Sequence, residues 1–206
     1  MFDAHSYNKG GMVLHMLRDI VGDDAFFASL EKYLKDNAYT AVEAHDLRLA
    51  FEEITGQDLK WFFDQWFFSS GHPQIKVTQE YTPGMIKLTL QQTQNADEFP
   101  PIFILPFSID IYDANGIATR HEVVMDQRIQ VFEFKTNTEP SLVNVDANSV
   151  LLAEMEHVKS ENAYIFQFNN APLYQDRFEA LSALAVEPKM RSGKQELFEN
   201  IINQYI

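Results

Sequence analysis

The chain has 206 residues, of which 46% are hydrophobic and 22% are charged, so it is long enough and apolar enough to bury a substantial core. Asp and Glu number 30 against 16 Lys and Arg, and the net charge of −14 disfavours binding to nucleic acid or to an anionic membrane surface. Cys is absent, which excludes disulfides, thiolate zinc sites and a cysteine nucleophile but leaves a bacterial cytoplasm and a periplasm equally open. No apolar run approaches the roughly 18 residues that a membrane span needs, so no span is predicted.

The first third of the chain has the apolar spacing of helices. Apolar residues recur every three or four positions from residue 7 onwards, and Gly22 supplies a stop signal for the first helix. Either Asp23 or Asp24 is predicted to cap the second helix, which should end near Asn37.

Two further helices are predicted before the pattern changes. Thr40 followed by Glu43 has the spacing of a capping box for a third helix, which Gly56 ends. Asp58 is predicted to cap a fourth, strongly aromatic helix over 61–68. With roughly 12 to 15 residues each and short connections, the four helices predict a packed helical unit over residues 1–71.

After Pro73 the apolar period becomes two, which is typical of strands. An alternating segment from Ile75 is followed by a Pro-Gly turn and a return strand, and further strands are predicted at 102–112, 117–125, 129–136 and 141–146. Six or seven short strands at this spacing predict an antiparallel β-sandwich over residues 72–153.

Helical character is predicted to return from about Glu154. A helix is expected over 176–184 and a last amphipathic stretch over 197–205, so residues 154–206 are predicted to begin a C-terminal helical domain. The fold class is therefore α+β, with a helical unit, a sandwich and a second helical unit in that order.

The search for catalytic patterns in the residues themselves is largely negative. There is no H-E-x-x-H, G-x-S-x-G, P-loop or glycine-rich dinucleotide motif. No two of the histidines lie at i, i+4; they are His5, His15, His45, His72, His121 and His157. We therefore expect no tightly bound zinc in this chain, and composition and periodicity indicate no reaction.

Two separate segments resemble one enzyme family. Tyr7-Asn8-Lys9-Gly10 opens the stretch SYNKGGMVLHMLRDIVGDDAFFASLEKYL, and the second stretch, 46–77, contains a Trp-Phe-x-x-Trp helix, a Gly71-His72-Pro73 boundary and a first strand. Together they are similar to the aminopeptidase N-type zinc metallopeptidases, the gluzincins, in the part that follows the zinc-binding helices. The resemblance continues more loosely through the remaining residues.

The resemblance implies an activity and a division of labour. Zinc would be held by an H-E-x-x-H helix and a glutamate from a neighbouring helix, and a G-x-M-E-N element would bind the substrate amine; all of these would lie upstream of Met1. Residues 1–71 would complete a thermolysin-like catalytic domain and supply Tyr7 as a catalytic residue that donates a hydrogen bond to the oxyanion. The chain would then be part of a zinc aminopeptidase, inactive by itself, with peptides and the upstream catalytic domain as partners and zinc only in the full-length parent.

Less specific interpretations remain open for each residue singled out. Tyr7 could only pack its ring at a helix start, and Lys9 is expected to be solvated or ion-paired rather than bound to a substrate carboxylate. Gly10 is expected to permit close helix packing. His72 is expected to cap a helix end or contact the backbone, and His5 to be loop filler beside the cleft.

The aromatic helix and the chain as a whole also have simpler interpretations. Trp61 and Trp66 are expected in the core. The alternative for the chain is a non-catalytic aminopeptidase-like scaffold that binds peptides or proteins, since the same helices and strands would serve it.

Overall fold

The computed structural model describes residues 5–186 of the chain. A π-helical turn, His5–Lys9, leads directly into the first of six α-helices in this range. The helices are α1 (Gly10–Val21), α2 (Asp23–Asp36), α3 (Ala44–Thr55), α4 (Lys60–Trp66), α5 (Glu161–Asn170) and α6 (Tyr174–Val186). The strands are β1 (Gln74–Thr82), β2 (Met85–Gln92), β3 (Leu105–Tyr112), β4 (Ala118–Met125), β5 (Ile129–Lys135), β6 (Leu142–Val145) and β7 (Glu154–His157).

The junction between α1 and α2 differs from the predicted cap. Gly22, with φ +80°, is itself the N-cap of α2, and Asp23 is already the first residue of that helix. The Asp23 carboxylate instead pairs with Arg18 at 2.7 Å. The prediction that Asp23 or Asp24 caps α2 is therefore wrong, because the N-cap position is taken by a glycine and the Asp23 carboxylate bonds Arg18 instead.

The cap of α3 is also made by other residues than predicted. Glu43 is the N-cap and exchanges hydrogen bonds with Asp46, which together form the capping box. Thr40 lies outside the box, because its hydroxyl donates to the carbonyl oxygen of Asn37 at 2.9 Å. A capping box exists, but it is shifted by three residues along the chain.

The aromatic helix α4 is shorter than predicted. Its first N–H, that of Lys60, donates to the Asp58 carboxylate at 2.9 Å, so Asp58 does satisfy the helix start although Leu59 occupies the N-cap position. The helix ends at Trp66, since the N–H of Phe68 bonds back to the carbonyl of Phe63 in a wider turn.

The strands form two sheets. One has the order β5-β2-β1-β7 and the other the order β4-β3-β6. All strands predicted between 74 and 146 are present, and their pairings within the two sheets are antiparallel.

Strand β7 corrects the prediction that helical structure returns at Glu154. Residues 154–157 pair in parallel with the start of β1, Gln74 opposite Glu154 and Val77 opposite His157. The sheet is therefore mixed, and the next helix begins only at Glu161. Four residues that include two glutamates carry little strand signal alone, and the free edge of β1 supplies the partner.

One buried cluster connects the helices with both sheets. It includes Phe62, Phe63 and Trp66 from α4, Leu88 from one sheet and Ile109 from the other. The ring of Trp66 lies 5.3 Å from that of Phe103, so α4 packs where the helical part meets the strands. The prediction that Trp66 is in the core is confirmed, and Trp61 is half-buried at its edge.

Helices α5 and α6 pack against each other at the end of β7. Their small apolar cluster contains Tyr164, Ala180 and Leu184. The buried Lys159 joins the chain after β7 to α6 through a 3.0 Å ion pair with Glu179. The amphipathic stretch predicted over 197–205 lies outside the described residues. No helix within residues 5–186 combines the length and apolar character needed to cross a bilayer.

Candidate functional site

Tyr7 lies on the π-helical turn that begins the first helical segment. Its side chain is 64% exposed. Backbone N–H groups in the first turn of a helix have no partner within the helix, and the positive end of the helix dipole lies there. The π-helical turn, which continues directly into α1, contains no acidic residue that would offset this positive end. The tyrosine is thus largely exposed and lies beside the positive end of a helix.

Lys9, two residues further on, ties this turn to the end of the helical part. Its Nζ donates to the carbonyl oxygen of Gly71 at 3.0 Å, across 62 residues of sequence. Lys9 was expected to be solvated or ion-paired, but its ammonium is held by a neutral backbone oxygen. The two motifs that carried the family resemblance are therefore in direct contact.

Gly71 occupies a position that only glycine fits well. Its φ is +83°, and a Cβ there would lie 2.7 Å from Cγ of Phe99 and closer still to Cδ1. The absence of a side chain thus lets the backbone approach the Phe99 ring while its carbonyl accepts from Lys9.

His72 contacts a side chain rather than the backbone or a helix end, so that prediction is wrong. Its Nε2 lies 2.9 Å from Oε1 of Glu154, and Gln74 donates to the other carboxylate oxygen at 3.0 Å. The pKa of the Glu154 carboxyl is lowered, chiefly by the hydrogen bond with His72 and to a smaller extent by the hydrogen bond from Gln74. The reason for the different contact is β7, which brings Glu154 beside the start of β1.

The remaining predicted residues contribute little to this site. A Cβ on Gly10 would meet no atom within 4 Å in the described structure. The expected close approach of another helix to Gly10 is therefore not seen among the described residues. The side chain of His5 is outside the described part.

The histidines that are described do not form a metal site. Within residues 5–186, no three His, Cys, Asp or Glu side chains come together to hold an ion. The rings of His45 and His121 lie against Phe68 and Phe134, with centroids 4.9 and 4.3 Å apart. These residues therefore do not fit a zinc ion, and no chemical step is assigned to zinc within this chain.

A second polar region was not found by sequence reasoning. A cavity of about 550 Å³ lies between the end of β6, β7 and α6, and four of the ionisable residues along its wall are buried. They are Asp146, His157, Lys159 and Asp176. They come from three separate segments, and no spacing in the sequence connects them.

Comparison with known proteins connects the first of these regions to a family. A sequence model described as the peptidase family M1 domain matches residues 1–66, which include Tyr7, and one described as the XylA2 C-terminal domain matches residues 176–206. Tricorn protease-interacting factor F2 of Thermoplasma volcanium is 36% identical over 92 residues, or 45% of this chain and 12% of that protein. Aminopeptidase 2 of Candida albicans is 27% identical over 153 residues, or 73% of this chain and 16% of that protein.

A solved structure has the same fold. The crystal structure of Legionella pneumophila aminopeptidase A in complex with aspartic acid superposes with a TM-score of 0.73 at 23% identity, covering 87% of this chain and 21% of that one. The predicted resemblance to the M1 aminopeptidases is thus confirmed over residues 1–66, and the described residues have the mixed α+β fold of an aminopeptidase structure. It spans 12% and 16% of the two curated relatives named above.

Proposed function

We propose that this chain is part of a metal-dependent aminopeptidase that removes residues from the N-termini of peptides. The observation that carries the proposal is the M1 domain match over residues 1–66, together with Tyr7 exposed on the first turn of that segment. The aminopeptidase names of several relatives support the same reaction class.

Tyr7 is the catalytic residue of this proposal. Attack of water on a peptide carbonyl creates a tetrahedral oxyanion, and a phenol O–H aimed at that oxygen is a preorganised donor. Such a donor acts mainly in the transition state, when the charge develops, and therefore raises turnover rather than substrate affinity. The helix start around Tyr7 favours the same charge.

The zinc belongs to other parts of the enzyme in this proposal. In the family that this chain resembles, the zinc ligands and the amine-binding element precede the segment matched here, so both would be held upstream of this chain; residues 5–186 contain no group of side chains able to hold a metal ion. Peptide substrates and the upstream catalytic domain are then its partners, and the 206 residues alone are inactive.

The chain would be organised in three units. Residues 1–71 complete the catalytic helical domain, and the two sheets form a β-sandwich whose boundary we move from 153 to beyond His157, because β7 pairs with β1. The remaining residues begin a helical domain. The buried residues shared by the two sheets support the sandwich, and the separate apolar cluster of α5 and α6 supports the last boundary.

The test uses the complete enzyme that contains this chain. We expect it to release the N-terminal residue from aminoacyl-arylamides but not from their N-acetylated forms, since an aminopeptidase requires the free amine. Chelation should abolish turnover and zinc should restore it. The 206-residue chain, assayed in parallel, should show no turnover. Peptide binding by the complete protein without cleavage under any of these conditions would instead support the non-catalytic scaffold.

A further inference from the structure

The cavity beside α6 has walls of two kinds. One part is apolar. It consists of Met12 from α1, Leu151 and Ala153 from the segment between β6 and β7, and Met155 from β7. The other part is polar and includes Asn144, Asp146, His157 and Asp176. A volume of about 550 Å³ is within the range of pockets that hold small organic molecules.

Most polar atoms in the wall already have partners in the protein. Both oxygens of Asp146 accept backbone N–H groups, from Val150 at 3.1 Å and Leu151 at 2.9 Å. The ammonium of Lys159 is held by Glu179 and by Oε1 of Gln167 at 2.9 Å. Asp146 and Lys159 therefore stabilise the structure around the cavity and have no unused hydrogen-bonding atom to offer a ligand.

Asp176 is an exception. It is only 4% exposed, and its Oδ1 accepts from Nδ2 of Asn144 at 3.0 Å. Its Oδ2 has no hydrogen-bond partner in the described structure. Burial is the main cause that raises the pKa of this carboxyl, and hydrogen bonds from Asn144 and from the backbone N–H of Leu173 oppose that rise.

His157 is the second exception. It is 7% exposed, and its Nε2 lies 3.2 Å from Oε1 of Gln79. An amide oxygen only accepts, so Nε2 carries the proton and Nδ1 is an acceptor. Burial, and secondarily the charge of Lys159, lower the pKa of His157 to about 3, which leaves the ring neutral at pH 7. Nδ1 also has no partner among the described residues.

The two unsatisfied atoms are thus both acceptors, and the charge around them is negative. Three carboxylates, those of Asp146, Asp176 and Glu179, and one ammonium, that of Lys159, line the cavity. Buried acceptors without donors are uncommon in folded proteins and point to a missing partner. A partner with several N–H donors, a positive charge and an apolar stem would match both parts of the wall.

We propose that this cavity binds an alkylammonium or alkylguanidinium group, whose N–H donors reach Oδ2 of Asp176 and Nδ1 of His157 and whose stem lies against the methionines. Both acceptor atoms belong to residues that line the cavity but are themselves buried, so binding requires their side chains to turn. The terminal torsion of an aspartate is broad, so the Asp176 carboxylate can turn to meet a donor, with the Asn144 hydrogen bond to Oδ1 adjusting in the same movement. Tyr7 is not among the residues that line this cavity, and the binding of a cation there does not depend on the aminopeptidase assignment.

Calorimetric titration of the 206-residue chain tests the site directly. We expect saturable binding of n-butylguanidinium or n-butylammonium chloride and none of sodium butyrate at equal ionic strength. Asp176→Asn replaces the charged acceptor and should weaken binding about 10- to 100-fold, the usual effect of losing a hydrogen bond to a charged group. Glu156→Gln, on the exposed edge outside this cavity, should bind like the original chain.

A measurement on the unsubstituted chain guards against a variant that fails to fold. The ¹⁵N resonance of Nδ1 in His157 should shift on saturation with the cation, because that atom gains a donor, whereas butyrate should leave it unchanged. Nα-acetyl-arginine methylamide, titrated in the same way, distinguishes a peptide side chain from a free amine as the source of the group. No saturable binding of either alkyl cation, equal binding of butyrate, or unchanged affinity in Asp176→Asn would overturn the proposal.

Discussion

The ammonium of Lys9 donates a 3.0 Å hydrogen bond to the backbone carbonyl of Gly71, and this contact connects the turn that carries Tyr7 to the point where the helical part ends. A half-buried ammonium bonded to a carbonyl positions the turn rather than binding a substrate carboxylate.

Removal of this donor should destabilise the chain. Lys9→Met keeps the aliphatic stem but leaves the Gly71 carbonyl without the ammonium, so we expect a loss of about 1 to 2 kcal/mol in the free energy of unfolding, measured with urea. Lys35→Met is the matched control, because Lys35 makes only an exposed ion pair on α2, and it should cost less than about 0.5 kcal/mol. Equal losses in the two variants would show that the Lys9–Gly71 bond has no special role.

Gly71→Ala should be more harmful than the same change at another glycine with positive φ. Gly71 and Gly84 have φ of +83° and +92°, but only at Gly71 would the new Cβ overlap Phe99. Both variants should lose about 1 to 2 kcal/mol from the backbone conformation, and Gly71→Ala should lose roughly 1 kcal/mol more from the overlap. Adding Phe99→Ala to each variant should bring the stability losses of Gly71→Ala and Gly84→Ala closer together. If the two losses differ as much as before, the overlap with Phe99 is not the cause of the difference.

The neutral His157 makes stability depend on pH. Its folded-state pKa is about 3, whereas an unfolded histidine titrates near 6.5, so acid favours the unfolded state. This contribution is complete above pH 6.5 and declines as the pH falls towards 3, by at most about 1.4 kcal/mol per pH unit.

Urea unfolding at pH 7.5 and pH 5 measures this effect. The pH dependence of stability should be weaker in His157→Asn than in the original chain, whatever the absolute stability of the variant. The raised pKa values of Asp146 and Asp176 act in the opposite direction, but they are common to both proteins and affect the comparison less. Parallel pH profiles would show that His157 is not held neutral.

Local signals predicted much of the fold. The stops at Gly22 and Gly56 were correct because both need a positive φ that glycine adopts without strain, and alternation located the strands from Gln74 to Val145. Strand β7 was missed because its partner, β1, lies about 80 residues earlier in the chain, as the Gln74–Glu154 pairing shows. The cap of α3 depends on which of several neighbouring polar side chains bonds the free N–H, and α2 begins without a side-chain cap; spacing alone determines neither.

The two candidate sites also differ in whether a local sequence signal marks them. Tyr7 could be selected because a contiguous four-residue motif marks it. The polar cavity could not, since Asp146 follows β6, His157 ends β7 and Asp176 lies on α6. Only the packing of α6 against the sheet shows that their side chains line one space.

We propose that the hydroxyl of Tyr7 acts in the transition state, and the turnover of Tyr7→Phe in the complete enzyme measures that role. We expect kcat to fall by about 10²- to 10³-fold, the usual effect of losing one oxyanion donor. KM and the unfolding midpoint should change little, because the ring and the ground-state contacts remain. Tyr39→Phe, at a fully exposed tyrosine, is the control and should leave kcat unchanged. If kcat is undiminished in Tyr7→Phe, or if activity is lost only because the protein unfolds, then the Tyr7 hydroxyl is not an oxyanion donor.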